Sequence, residues 1–133
     1  MEIRFGATET DFDVVHPWLA SSYWSPQVAR ETVERAASGS SLVINAWEDG
    51  QQIGYCRVIS DRATFAWLAD VFVAEDARGR GVARAMVSAA LDHPGHQGLR
   101  RWVLATKDAH GVYAALGFEP LSMPERWMIR LPL

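Results

Sequence analysis

The chain has 133 residues, 49% hydrophobic and 22% charged, with 13 basic against 16 acidic side chains and a formal net charge of -3. Folding a chain this long buries roughly two thirds of its unfolded surface, which suits one domain over 1–133 with a single core. The acidic balance argues against nucleic acid as the main partner, and no run reaches the roughly 18 apolar residues that cross a bilayer, so no membrane partner is expected. The first residues carry neither a basic segment nor an apolar signal core, and the single cysteine, Cys56, excludes an internal disulfide and a multi-cysteine metal site. A cytoplasmic protein is expected.

In chain order, Ile3 to Phe5 reads as a first strand, and Val14, Val15, Trp18 and Leu19 recur at helical spacing. Ser25-Pro26 reads as an N-cap followed by proline at the first helical position, giving two short helices over 11–20 and 26–37. Strands are predicted at Leu42 to Trp47, Ile53 to Ser60 and Phe65 to Val73, joined by short turns and therefore antiparallel. An alanine-rich helix follows over Val82 to Leu91, then a strand from Trp102 to Ala105 and a helix from Ala109 to Leu116 ended by Gly117. Strands near Phe118 to Leu121 and Trp127 to Leu131 complete an α+β fold, a mixed sheet of about six or seven strands with about four helices.

The chemistry is expected where Val71-Phe72-Val73 leaves its strand and Arg78-Gly79-Arg80-Gly81-Val82-Ala83 opens the next helix. The first N–H groups of a helix lack internal partners and carry partial positive charge. Glycine removes the Cβ that would keep a phosphate off the backbone, and Arg78, Arg80 or Arg84 can add charge-assisted hydrogen bonds, so a diphosphate suits this place. No Gly-Lys-Ser/Thr follows, and a third glycine is missing, so the Walker and dinucleotide patterns both fail.

The Arg-x-x-Gly-x-Ala form of Arg78 to Ala83, after a Val-Phe-Val strand, resembles the GNAT superfamily of acyl-CoA-dependent N-acetyltransferases. A second element, Ala109-His110-Gly111-Val112-Tyr113 with Gly117-Phe118, is similar to that family's Ala-x-x-Leu-Tyr-x-x-x-Gly-Phe. The resemblance covers about residues 40–122. It implies acetyl-CoA as co-substrate and no metal, with the backbone of Val71 and Val73 and the intervening Phe72 along the pantetheine arm. It further implies that amides from Gly79 through Arg80, Gly81 and Val82 to Ala83 hold the pyrophosphate. The fourth strand and the strand ending at Ala105 would splay apart to admit the thioester, its carbonyl polarised by a backbone N–H. Tyr113 matches the tyrosine that protonates the departing thiolate. Thr106 stands where many relatives carry asparagine, leaving the arm contact absent or made by a hydroxyl.

For the general base, Asp70 is the leading candidate; alternation places it with Phe72 on one strand face, pointing at a cleft, at solvent or at an arginine. Water relays and His110 are its rivals. His93 and His96 flank a Pro-Gly turn and read as a solvated loop, and Cys56 reads as a small buried hydrophobe. In the family the acceptor site lies by the first two helices, so Tyr23 and Trp24 would wall a pocket for a primary amine, small or peptide-borne. That acceptor would enter between the Tyr23-Trp24 loop and the Gly117-to-Trp127 segment. A non-catalytic acyl-CoA-binding or partner-binding module is the alternative, and a homodimer is compatible with either.

Overall fold

The structure, a computed structural model, describes residues 1–132. Five strands form one sheet in the order β1-β2-β3-β4-β5. They are β1 (Glu2–Phe5), β2 (Leu42–Glu48), β3 (Gln51–Ser60), β4 (Phe65–Val73) and β5 (Arg101–Val103), with helices α1 (Phe12–Ala20), α2 (Arg30–Gly39), α3 (Val82–Asp92) and α4 (His110–Ala114). The first four strands are antiparallel in succession, and β5 lies parallel to β4 after the α3 crossover.

Alternation along β2 splits its side chains between two layers. Leu42, Ile44 and Ala46 join Cys56 and Val58 of β3 beneath α3, whereas Val43 and Tyr55 meet Val15, Leu19, Val33 and Ala37 of α1 and α2. α3 contributes Val82, Met86, Val87 and Ala90, all buried. Full burial of a side chain such as Met86 is worth about 1.5–3 kcal/mol. Gly54 of β3 makes this approach close: a Cβ there would lie 2.9 Å from Met86 Sδ and Cε.

A polar knot ties the N-terminal segment to the sheet. Buried Asn45 accepts at Oδ1 from Thr10 Oγ1 and Gln52 Nε2, each at 2.8 Å, and donates from Nδ2 to the Gly6 carbonyl at 3.0 Å. Each partner is satisfied, so the burial is tolerated.

Three expectations are corrected. The sheet has five strands rather than six or seven, because neither Phe118–Leu121 nor 127–131 pairs with another strand. Ser25-Pro26 does not start a helix: Gln27 has φ +60 and the Val28 N–H returns to the Ser25 carbonyl at 3.2 Å, a turn with proline at its second position, so α2 begins only at Arg30. His93 and His96 are not a solvated loop. His96 is 2% exposed and Nε2 lies 2.8 Å from Ser41 Oγ, while His93 Nδ1 accepts from the Gly95 N–H at 3.1 Å.

Candidate active site

β4 and β5 pair only from Phe65 opposite Arg101 to Trp67 opposite Val103. Beyond Trp67 the two part, and the far half of β4 has an edge with no strand on it among the described residues. The expected splay would lie along this unpaired half of β4.

A bulge shapes that edge. Tyr55 opposes Phe72 and Arg57 opposes Ala69, so Asp70 and Val71 together face Cys56. Asp70 takes φ +56, a costly conformation for a residue with a Cβ. The extra residue reverses the alternation: Leu68 and Val71, three apart, both reach the α3 layer, while Phe72 turns to the α1 side and stacks on Trp18 at 5.3 Å. Alternation alone does not foresee this.

On the α3 side of the splay lies a groove of about 930 Å³, bounded by Val71, Phe72 and Val73, by the turn before α3, and by α4. Gly79 (φ +77) and Gly81 (φ +81) sit in the left-handed region, and a Cβ on either would meet nothing within 4 Å. The first bond of α3 runs from the Ala85 N–H to the Gly81 carbonyl, which leaves the amides of residues 79–84 without backbone partners. Arg78 and Arg84 line this groove. Arg78 also donates from Nε to the Val73 carbonyl at 3.0 Å and lies over Phe72. The Arg80 guanidinium is drawn off to Glu48 Oε1 at 2.9 Å, and Arg80 does not line the groove.

On the other side is a cleft of about 630 Å³ between the Tyr23-Trp24-Ser25 turn, Arg57, Asp70 and the loop after β5. Tyr23 spans the splay, its hydroxyl accepting from the Lys107 N–H at 2.8 Å. Trp24 packs edge-on against Tyr23 and donates from Nε1 to Asp70 Oδ1 at 2.9 Å. Asp70 Oδ2 accepts from Arg57 Nε at 2.7 Å, in a pair 17% and 15% exposed. Arg57 and Asp70 are the only charged residues in β3 and β4, a signal that two lone opposite charges in adjacent strands would have given.

Tyr113 borders both the groove and the cleft. It is 8% exposed, and its hydroxyl makes no hydrogen bond among the described residues. Burial, then the neighbouring Cys56, Tyr23 and Asp108, push its pKa up to about 12, so the phenol stays protonated. Burial also raises the Cys56 thiol well above its usual value, consistent with an inert core residue.

Two expected placements differ. Thr106 borders the cleft rather than the groove, and its Oγ1 accepts from the Ala109 N–H at 3.1 Å. The segment after Gly117 does not reach the cleft: Phe118 to Leu121 line a third depression on the outer side of β5, with Leu104 to Thr106 and Tyr113 as the shared wall. His110 opens onto that third depression. No cluster of three metal-ligating side chains occurs among the described residues.

Solved structures share this architecture. A crystal structure from Xanthomonas campestris pv. campestris, described as belonging to the GNAT family, is 40% identical with a TM-score of 0.91, covering 99% of this chain and 94% of that one. A GNAT family acetyltransferase from Streptococcus pneumoniae TIGR4 matches at 21% identity and TM-score 0.76, covering 98% and 97% of the two chains. An aminoglycoside N-acetyltransferase in complex with CoA matches at 20% identity and TM-score 0.72, covering 99% and 93%, a likeness of fold. A search of curated proteins finds no match. The sequence pattern of the acetyltransferase (GNAT) family matches residues 7–118, most of the chain, and with the splayed strands and the Arg78-to-Ala83 turn it shows that the chain belongs to the GNAT family of acetyltransferases.

Proposed function

We propose that this acetyltransferase moves an acetyl group from acetyl-CoA to a primary amine by direct attack, with both substrates bound at once. The carrying observation is that a coenzyme-sized groove and a cleft share a wall that includes Tyr113, whose hydroxyl makes no hydrogen bond among the described residues. The groove suits coenzyme A: six unpartnered amides, two glycines whose missing Cβ leaves open space, and the cations of Arg78 and Arg84 match a diphosphate. Val71, Phe72 and Val73 would hold the pantetheine arm along the unpaired edge, where a backbone N–H of β4 polarises the carbonyl. Thr106, on the cleft side, would meet the acyl end rather than the arm.

The neutral amine nitrogen forms a bond to the thioester carbonyl carbon, the carbon–sulfur bond breaks, the sulfur takes the Tyr113 proton, and the proton the nitrogen sheds on becoming an amide restores the Tyr113 phenol. Asp70 is the carboxylate at the amine's entrance. Both its oxygens already accept hydrogen bonds, so its role as base narrows to that of an anchor: an ammonium displaces the neutral Trp24 N–H from Oδ1, and the excess proton passes to cleft water. Tyr23 and Trp24 wall the amine in, and Arg57 holds Asp70 in place. A small-molecule or peptide-borne amine fits a cleft of about 630 Å³, and an aminoglycoside acetyltransferase of the same fold supports the small-molecule class.

A thiol-release assay with acetyl-CoA across amino acids, polyamines, aminoglycosides and peptides tests this. Release that depends on the amine, with one acetylated amine per free thiol, is expected. Tight acetyl-CoA binding with no release for any amine class would instead favour a binding module.

A further inference from the structure

Taking the amine transfer proposed above as the basis, we propose that the acceptor is a free α-amino acid, its ammonium held by Asp70 and its carboxylate by Arg57. The two side chains come from adjacent strands and both line the cleft, with Arg57 Nε 2.7 Å from Asp70 Oδ2, so a cation and an anion stand side by side there. An α-amino acid carries its ammonium and its carboxylate on the same carbon atom. It can therefore meet both groups of the pair at once.

Both groups keep capacity for a ligand. Arg57 donates from Nε to Asp70 and from Nη1 to Ser40 Oγ at 3.3 Å, while Nη2 makes no hydrogen bond among the described residues. On Asp70, Oδ1 takes only the neutral Trp24 N–H, which an ammonium displaces because both partners of the new bond are charged. The pair is 17% and 15% exposed, and charges drawn this far out of water gain most from a ligand that completes their bonding. Asp70 is also held at φ +56, and backbone strain of this kind collects at ligand sites.

The charge of the lining points the same way. Two cations, Arg57 and Lys107, and two carboxylates, Asp70 and Asp108, border the cleft, which leaves it with no net charge. Lys107 has no ion pair among the described residues, and its Nζ stands 5.5 Å from the centre of the Tyr23 ring; Asp108 borders the coenzyme groove as well. A polyamine or an aminoglycoside, with several ammonium groups and no anion, would press cations against Arg57 and Lys107. The first residue of a peptide has the amine without the carboxylate and leaves Arg57 Nη2 unmatched. A zwitterion fits both charges. Its ammonium loses a proton to cleft water, the neutral nitrogen takes the acetyl carbon from sulfur as above, and the products are the N-acetyl amino acid and the free thiol. With the positive charge gone, the product loses its hold on Asp70 and departs.

Thiol release from acetyl-CoA, measured for L-amino acids, their α-amides and the amines left by decarboxylation, tests the assignment. The amide's amine is the more readily deprotonated, so a preference for the free acid reports recognition of the carboxylate and not basicity. For at least one amino acid, kcat/KM should exceed that of its amide and its amine by at least about tenfold. Arg57→Lys keeps a cation against Asp70 but gives up the planar fork, and should bring that ratio towards one chiefly through the KM of the amino acid. The wild-type ratio decides even if that variant does not fold. Amides, polyamines or aminoglycosides acetylated as efficiently as any amino acid would overturn the amino-acid acceptor and leave the amine transfer standing. No release with any amine would overturn both, and a preference unchanged in a folded Arg57→Lys would overturn the placement of the carboxylate.

Discussion

Gly81 and Gly50 are a matched pair of positions that separate backbone strain from coenzyme binding. Both lie in the left-handed region, at φ +81 and +73, and at both a Cβ would meet nothing within 4 Å. Alanine at either position therefore clashes with no protein atom and carries only the left-handed penalty, about 1–2 kcal/mol. At about 4 °C per kcal/mol for a chain of this size, both variants should melt some 4–8 °C lower. Gly50 closes the β2–β3 hairpin, whereas Gly81 caps α3 at the floor of the groove. Only Gly81→Ala puts a methyl where a diphosphate must approach the amides of residues 79–84. Titration calorimetry with coenzyme A should show affinity at least tenfold weaker, about 1.4 kcal/mol or more, for Gly81→Ala and wild-type affinity for Gly50→Ala. Equal affinity in the two variants would refute the placement of the diphosphate.

Tyr113→Phe should keep coenzyme affinity and lower kcat by about 10²- to 10⁴-fold, the usual worth of a positioned acid. Because burial holds the Tyr113 phenol at about 12, wild-type kcat should rise as the amine deprotonates and show no falling limb up to about pH 10. Gly54→Val should drive side-chain atoms into Met86 and Val82 and cost about 1–3 kcal/mol, read as a lowered denaturant midpoint with an unchanged slope. Burial, then the neighbouring charges of His93 and Arg62, hold His96 below its ordinary 6.5. The unfolded chain therefore takes up this proton first, and stability should fall as pH drops from about 6.5 through the lowered folded value; His96→Gln should flatten that slope.

The three central strands and α3 were legible because their signals are local: short turns between alternating apolar runs, and a stripe at 82, 86 and 90. So was the glycine turn, whose φ values require the residues found there. The bulge at Asp70 was not, because it depends on register across two strands and breaks the alternation by which faces are assigned along one strand. Ser25-Pro26 serves a turn as well as it serves a helix start, and only the left-handed Gln27 decides between them. His96 is polar and follows a Pro-Gly pair, yet Ser41, 55 residues away, supplies the hydrogen bond that lets it be buried. The strand near Trp127 to Leu131 was read in the sequence, but among the described residues it pairs with no other strand.

A crystal structure with coenzyme A bound tests most directly where transfer takes place. The expected complex has its diphosphate on the amides of residues 79–84, its arm along Val71 to Val73, and its sulfur within hydrogen-bond reach of the Tyr113 hydroxyl. Coenzyme seated outside the β4–β5 splay, or a sulfur beyond the reach of Tyr113, would contradict the assignment of the site.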